Sequence, residues 1–276
     1  MRRALVVGVL VVAAACGGGG DDDDVAEDDL PATTTTVAEA EAEGSTTTAA
    51  VAASTTTAAT GDGPATTVAA SGGAAAPQEV AGPAPLAPGT YHYRQTGEIK
   101  AGPQTYPFPP EGTAEVEPAD ADGTQLVRRF IDPEQPPIET RIRFDRAGIL
   151  LVETSGGGGP TGFRCTFDPP LTLVAWPPTV GHTASGEADC ENVHITYEVR
   201  ITGQVPVTID GATYEAFVME STVTTTGDLE STSEQLDHFV AELRQSVHTE
   251  STSEGTFRGV QFSATSTSDL VSATPD

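Results

Sequence analysis

The chain has 276 residues, with 40 acidic against 13 basic side chains, a formal net charge of −27 and a pI near 4.2. A surface of that sign repels nucleic acid and anionic lipid headgroups, which excludes nucleic acid as a partner. Hydrophobic residues make up 37% and aromatics 5%, enough for one folded domain but thin for the whole length.

At the start, Arg2 and Arg3 precede a short apolar run, Ala4 to Val12, and small residues Ala13 to Ala15 lead into Cys16. This is the tripartite layout of a secretory signal over residues 1–15, with an apolar part too short to span a bilayer. The junction Ala13-Ala14-Ala15-Cys16 resembles the lipobox of bacterial lipoproteins, with Ala13 standing where that family more often has Leu or Val. The resemblance implies cleavage before Cys16 and a diacylglyceryl group on its thiol. It places the protein on the outer face of the cytoplasmic membrane, extending into the cell wall. Two acyl chains anchor stably where one is marginal. The remainder holds no apolar stretch of about 18 residues, so lipid is the expected membrane attachment. One lysine, Lys100, stands against twelve arginines, beside abundant Ala, Gly, Pro and Thr. Those are GC-rich codon choices and point to an actinobacterial genome.

Residues 16–88 read as a lipidated cysteine followed by a disordered, acidic, Thr/Ala-rich stalk. From Gly17 to Pro88 there is no Lys, no Arg and no aromatic residue, while twelve residues are acidic. Such a segment buries too little apolar surface to offset its ordering entropy. Runs such as Thr33–Thr36 and the repeated STTTAA at Ser45 and Ser54 are low complexity, of the kind found in O-glycosylated stalks. A relaxed coil of this length spans about 45 Å.

Residues 89–276 read as a single, mainly β domain: one curved antiparallel sheet or open barrel. Val193, Ile195, Tyr197, Val199 and Ile201 alternate with polar residues, as in a half-buried strand. Tyr91 and Tyr93, and Ile138, Ile142 and Phe144, follow the same period. Asp210-Gly211 between VPVTI and ATYEAFVM predicts a two-residue hairpin, and Asp145 to Gly148 a second turn. A further strand pair is expected at Thr256–Thr267. One segment departs from this. In STSEQLDHFVAELRQSV, Leu236, Phe239, Val240, Leu243 and Val247 fall at helical spacing, and Ser231 with Glu234 offers a capping box. A helix over 233–247 is the expectation; the rival is two strands with a turn near Arg244-Gln245.

Cys165 and Cys190 are the cysteines left after the anchor, and in an exported chain they read as one structural disulfide. No CxxC spacing and no histidine within three residues of Cys165 supports a metal or redox site. The five histidines form no HExxH or H-x-H pair, so no metal and no cofactor is expected. No G-x-S-x-G elbow is present, and no catalytic residue is proposed. Gly156 to Gly162 lacks the Lys and helix of a phosphate loop and reads as a flexible connection. Asp120-Ala121-Asp122-Gly123 lacks the later ligands of a calcium loop and reads as a turn feeding a strand at Thr124–Ile131. The apolar handle is FDPPLTLVAWPPTVG, in which Leu173, Val174 and Trp176 are candidates for the border of a ligand pocket, against plain core packing. The domain also resembles bacterial lipoproteins built on strongly curved sheets, including carriers of acylated molecules, though without a diagnostic motif.

The function expected from the sequence is a non-enzymatic interaction or structural module displayed at the cell surface. The alternative is a carrier of an apolar envelope lipid or glycolipid. A glycan or protein of the envelope is the other class of partner considered.

Overall fold

The computed structural model describes residues 82–156, 163–190 and 192–276. Cys16, the stalk up to residue 81 and the glycine connection at 157–162 lie outside the described residues. The described part is all β. The strands are β1 (Gly89–Ala101), β2 (Gln104–Pro107), β3 (Glu111–Val116), β4 (Thr124–Phe130), β5 (Ile138–Asp145), β6 (Gly148–Gly156) and β7 (Phe163–Ala175). They continue as β8 (Thr183–Cys190), β9 (Val193–Ile209), β10 (Ala212–Gly227), β11 (Leu229–Val240), β12 (Gln245–Phe257) and β13 (Val260–Leu270).

All thirteen belong to one antiparallel sheet, in the order β7-β6-β5-β4-β3-β1-β13-β12-β11-β10-β9-β8, with β2 paired to the end of β1. The chain starts in the middle of the sheet, meanders out to β7, resumes at β8 and meanders back until β13 pairs with β1. That is the connectivity of an up-and-down barrel whose hydrogen-bonded ladder is open at one place, between β7 and β8. Two features hold the opening together. Cys165 on β7 and Cys190 on β8 form a disulfide with their Cα atoms 4.7 Å apart. A Cβ on Gly186 of β8 would lie 2.4 Å from Cδ2 of Leu171, so the β7 side chain occupies the space that the glycine leaves. Pro169 and Pro170 within β7 lack N–H groups, which suits an edge strand. The β6–β7 register shifts beside them, between Leu151 and Glu153.

The predicted strands and turns are where the pattern put them. Asp210 and Gly211 both have positive φ, 53° and 77°, as a two-residue hairpin requires. Asp120 and Asp122 each accept a hydrogen bond from the Thr124 N–H, at 2.8 and 3.0 Å, and so shape the turn into β4. Arg258 and Gly259, with φ of 45° and 83°, turn β12 into β13. The last strand pair is therefore longer than the sequence suggested, spanning 245–270.

The helix expected over 233–247 is absent. That span is the end of β11, a turn at 241–244 and the start of β12. The reason is physical. Along β11 the buried positions are Leu229, Ser231, Ser233, Gln235, Asp237 and Phe239, a strict period of two carried mostly by polar side chains. A bulge between His238 and Phe239 then places Phe239 and Val240 inward in succession, which mimics helical spacing. Val240 O accepts from both Leu243 N and Arg244 N, closing the turn, and Ser231 hydrogen-bonds Thr225 instead of capping a helix.

The folded part also reaches further back than residue 89. Gly82 to Pro88 forms a strap across the barrel end that carries the 117–123 and 146–147 turns. Leu86 is 8% exposed and joins the core. A Cβ on Gly82 would lie 2.4 Å from the Asp145 carbonyl oxygen, so the strap runs hard against the β5–β6 turn.

Candidate functional site: the barrel lumen

Inward-facing side chains fill the barrel in layers. On β10 to β13, toward the disulfide end, they are mostly small and hydroxylated, and Phe167, Ile195 and Leu229 pack there beside them. Residues opposite one another across strands pair as Thr225–Ser231 at 2.8 Å, Ser233–Ser253 at 2.6 Å and Ser251–Ser266 at 2.8 Å. Each buried hydroxyl so meets a partner and costs little to desolvate.

The middle layer is charged. Arg129 of β4, 9% exposed, lays its guanidinium 4.5 Å from the Tyr93 ring centre and donates from Nη2 to Ser268 Oγ at 2.8 Å. Asp237 of β11 accepts from Thr249 Oγ1 at 2.7 Å and from Gln235 Nε2 at 2.5 Å. Burial pushes the Asp237 carboxyl above its ordinary range, while those hydrogen bonds and the charge of Arg129 pull the other way. Tyr197, packed nearby, is raised by burial first and by Asp237 second.

Between this layer and the strap lies a cavity of about 150 Å³. Apolar side chains dominate its wall, among them Leu86, Val116, Phe144, Leu151, Val199 and Met219. Arg129, Asp237 and Gln235 close it on one side, and Arg244, from the β11–β12 turn, reaches it from the end. Leu173 and Val174 line this cavity. Trp176 does not: it lies beyond the end of β7, half-buried, with its backbone N–H donating to Ala147 O at 3.0 Å. Cys165 is at the opposite end of the same strand, so the tryptophan does not pack beneath the disulfide either.

The histidines lie outside the lumen or at its rim, and their recorded hydrogen-bond partners are carboxylates: His92 with Asp276, His194 with Asp189, and His248 with Asp269 and Glu250. His238 and His248 face each other across β11 and β12 with ring centres 4.9 Å apart. Burial opposes charge on both. On His248 the two carboxylates outweigh it and raise the pKa, whereas His238 is lowered, by burial and then by its neighbour. Among the described residues no three His, Cys, Asp or Glu side chains are grouped to hold a metal. His182 is exposed in the turn before β8.

The outer wall carries polar rows. In one, Glu220, Leu236, Glu250 and Thr267 lie opposite one another on β10 to β13, and Glu234 belongs to the next row. They line an open groove of about 600 Å³. Charged and hydroxylated side chains there are unlike the outward apolar band of a membrane-spanning barrel.

Sequence reasoning missed the charged layer and the strap. A signal for the first existed: Arg128 and Arg129 are adjacent on one strand, so one of them must face inward. No known protein family, curated protein or solved structure matches the chain, so its reading rests on its own geometry.

Proposed function

We propose that this chain is an exported lipoprotein of the cell envelope, anchored through Cys16, whose acidic stalk displays the barrel as an interaction or structural module working through its outer wall. The observation that carries this reading is the filled lumen. Its own hydroxyl pairs, the Arg129–Asp237 layer and the strap leave about 150 Å³, below the roughly 300 Å³ at which pockets for drug-sized ligands begin. A diacyl lipid needs far more, which counts against the carrier reading. The outer groove is larger, spans five strands and is acidic through Glu220, Glu234 and Glu250. The disulfide supports an oxidising compartment.

Native mass spectrometry of the purified protein, beside cosedimentation with isolated cell-wall material, tests the proposal. The expected result is a barrel without bound lipid that sediments with wall. A Glu220→Lys, Glu234→Lys, Glu250→Lys variant should stay folded but remain in solution. A stoichiometric lipid adduct, or equal sedimentation of both proteins, would reverse it.

A further inference from the structure

The residual cavity has a chemistry that the outer-wall reading leaves unused, and Arg244 is its centre. Acidic residues outnumber basic ones about threefold in this chain. Most partly buried cations accordingly have an acid at hand: Arg128 pairs with Glu117 and Glu139, and Arg143 with Asp145. Arg94, Arg141 and Arg200 face open water. Arg244 is half-buried at the cavity, and among the described residues no carboxylate pairs with it. Its Nε is shielded from solvent and has no hydrogen-bond partner. A shielded guanidinium donor without an acceptor is costly.

The backbone adds a second, independent observation. Arg244 has φ 58°, in the left-handed region that glycine adopts freely and other residues seldom do; Arg258 shares it at 45°, in a turn with a glycine beside it. Asp210, another such residue, earns its conformation in a hairpin turn with a glycine beside it, and its carboxylate accepts from Ser272 and Ala273. At Arg244 the comparable local bond is a single backbone one to Val240 O. Arg244 thus combines a left-handed backbone with a place on the cavity wall, within electrostatic reach of Tyr91.

We infer that the lumen binds a small monocarboxylate with an apolar body of about six carbons, its carboxylate on the Arg244 guanidinium and its body against Met219, Val174 and Leu151. The size follows from the volume: a cavity of about 150 Å³ accommodates a single benzene-sized group. The charge follows from Arg244, which presents planar donors suited to a carboxylate. Asp237 also lines the cavity but is engaged by Thr249 and Gln235, so Arg244, in the turn at the strap end, orients the carboxylate.

The experiment uses the purified full chain labelled with methyl-¹³C methionine. The sequence has two methionines, Met1 and Met219, and Met219 lines the cavity. Benzoate is titrated against its neutral analogue benzyl alcohol. Benzoate should displace the Met219 methyl resonance saturably and bind about tenfold more tightly than the alcohol, the ratio a charge-assisted hydrogen bond supplies. Arg244→Gln should abolish that preference. Arg244→Gly should do the same while raising the melting temperature, because glycine relieves the backbone, so a binding loss there is not a folding loss. Val174→Phe, which fills the space, should block both probes. An unmoved Met219 resonance, equal affinity for the two probes, or a preference that survives both Arg244 substitutions would overturn the inference.

Discussion

Gln125 and Leu86, 39 residues apart, exchange two hydrogen bonds: the Leu86 N–H donates to Gln125 Oε1 at 2.9 Å, and Gln125 Nε2 donates to Leu86 O at 3.0 Å. The same Nε2 also reaches Glu117 O at 2.8 Å. One side chain, 1% exposed, thus satisfies the backbone of the strap in both directions, as a strand partner would. The strap is fixed at its waist.

Gln125→Leu should therefore release the strap without opening the sheet. It leaves the buried N–H and carbonyl of Leu86 unpaired, and the part-buried Glu117 carbonyl with them, a cost of about 1–3 kcal/mol. Limited proteolysis should then cut between residues 82 and 88, where the wild type resists. Unchanged protection in the variant would show that apolar packing of Leu86 alone holds the strap.

The disulfide closes the one place where the ladder is open. Replacing Cys165 and Cys190 with Ser should cost about 3–4 kcal/mol by the loop-entropy argument, for the 25-residue separation. The loss should be local as well as global. Hydrogen exchange in the variant should rise first along β7 and β8 and last at the β1–β13 junction. Uniform loss of protection would mean that the seam is not where the barrel opens.

Val174 and Trp176 separate the lumen from the rim. Val174 is 5% exposed and lines the cavity, so Val174→Asp buries an unpaired carboxyl and should unfold or severely destabilise the barrel. Trp176→Ala should cost less, because that ring is half-buried and outside the core cluster. Thermal melts of the two variants check the order, and an equal or larger loss at Trp176 would contradict it.

Where the sequence was legible, one face of a strand was apolar: β9 shows Ile195, Tyr197, Val199 and Ile201 inside and polar residues outside, and the period of two is plain. The glycine-bearing turns were legible because glycine adopts φ above zero freely, whereas Arg244, which adopts it too, carries no such signal. β11 was not, since Ser231, Ser233, Gln235 and Asp237 face a lumen that pairs hydroxyls and amides with each other. With both faces polar, period two vanishes from a hydrophobicity reading, and the bulge before Phe239 supplies a false helical spacing. The cavity's border was half legible. Leu173 and Val174 follow from the apolar run in β7, but Arg129 of β4 and Asp237 of β11 share a layer only through pairings distant in sequence.

The anchor is proposed from the sequence and is open to direct test. Cys16→Ser should abolish incorporation of labelled fatty acid and move the protein from the membrane fraction to the medium or the uncleaved precursor. Equal membrane partition of wild type and variant would remove the anchor from the scheme.

Asp237 gives a pH dependence whose sign is fixed. Its folded-state pKa lies above the unfolded value, with burial the largest cause. Below the ordinary carboxylate range the group is protonated in both states and does not affect the equilibrium. As pH rises past that range, the unfolded chain releases the proton while the folded chain keeps it, so stability falls. The fall ends once pH exceeds the raised value, where both states are ionised. Asp237→Asn removes the titration and keeps an acceptor for Thr249, whose hydroxyl now donates to the carboxylate at 2.7 Å. The other carboxylates titrate as well, so the difference between variant and wild type is the quantity to measure. Denaturant unfolding across pH 4 to 8 should show the variant gaining on the wild type as pH rises. A constant difference across that range would mean that Arg129, in the same layer, already neutralises the buried charge. A variant that lost ground with rising pH would invert the assignment and make Asp237–Arg129 a stabilising ion pair.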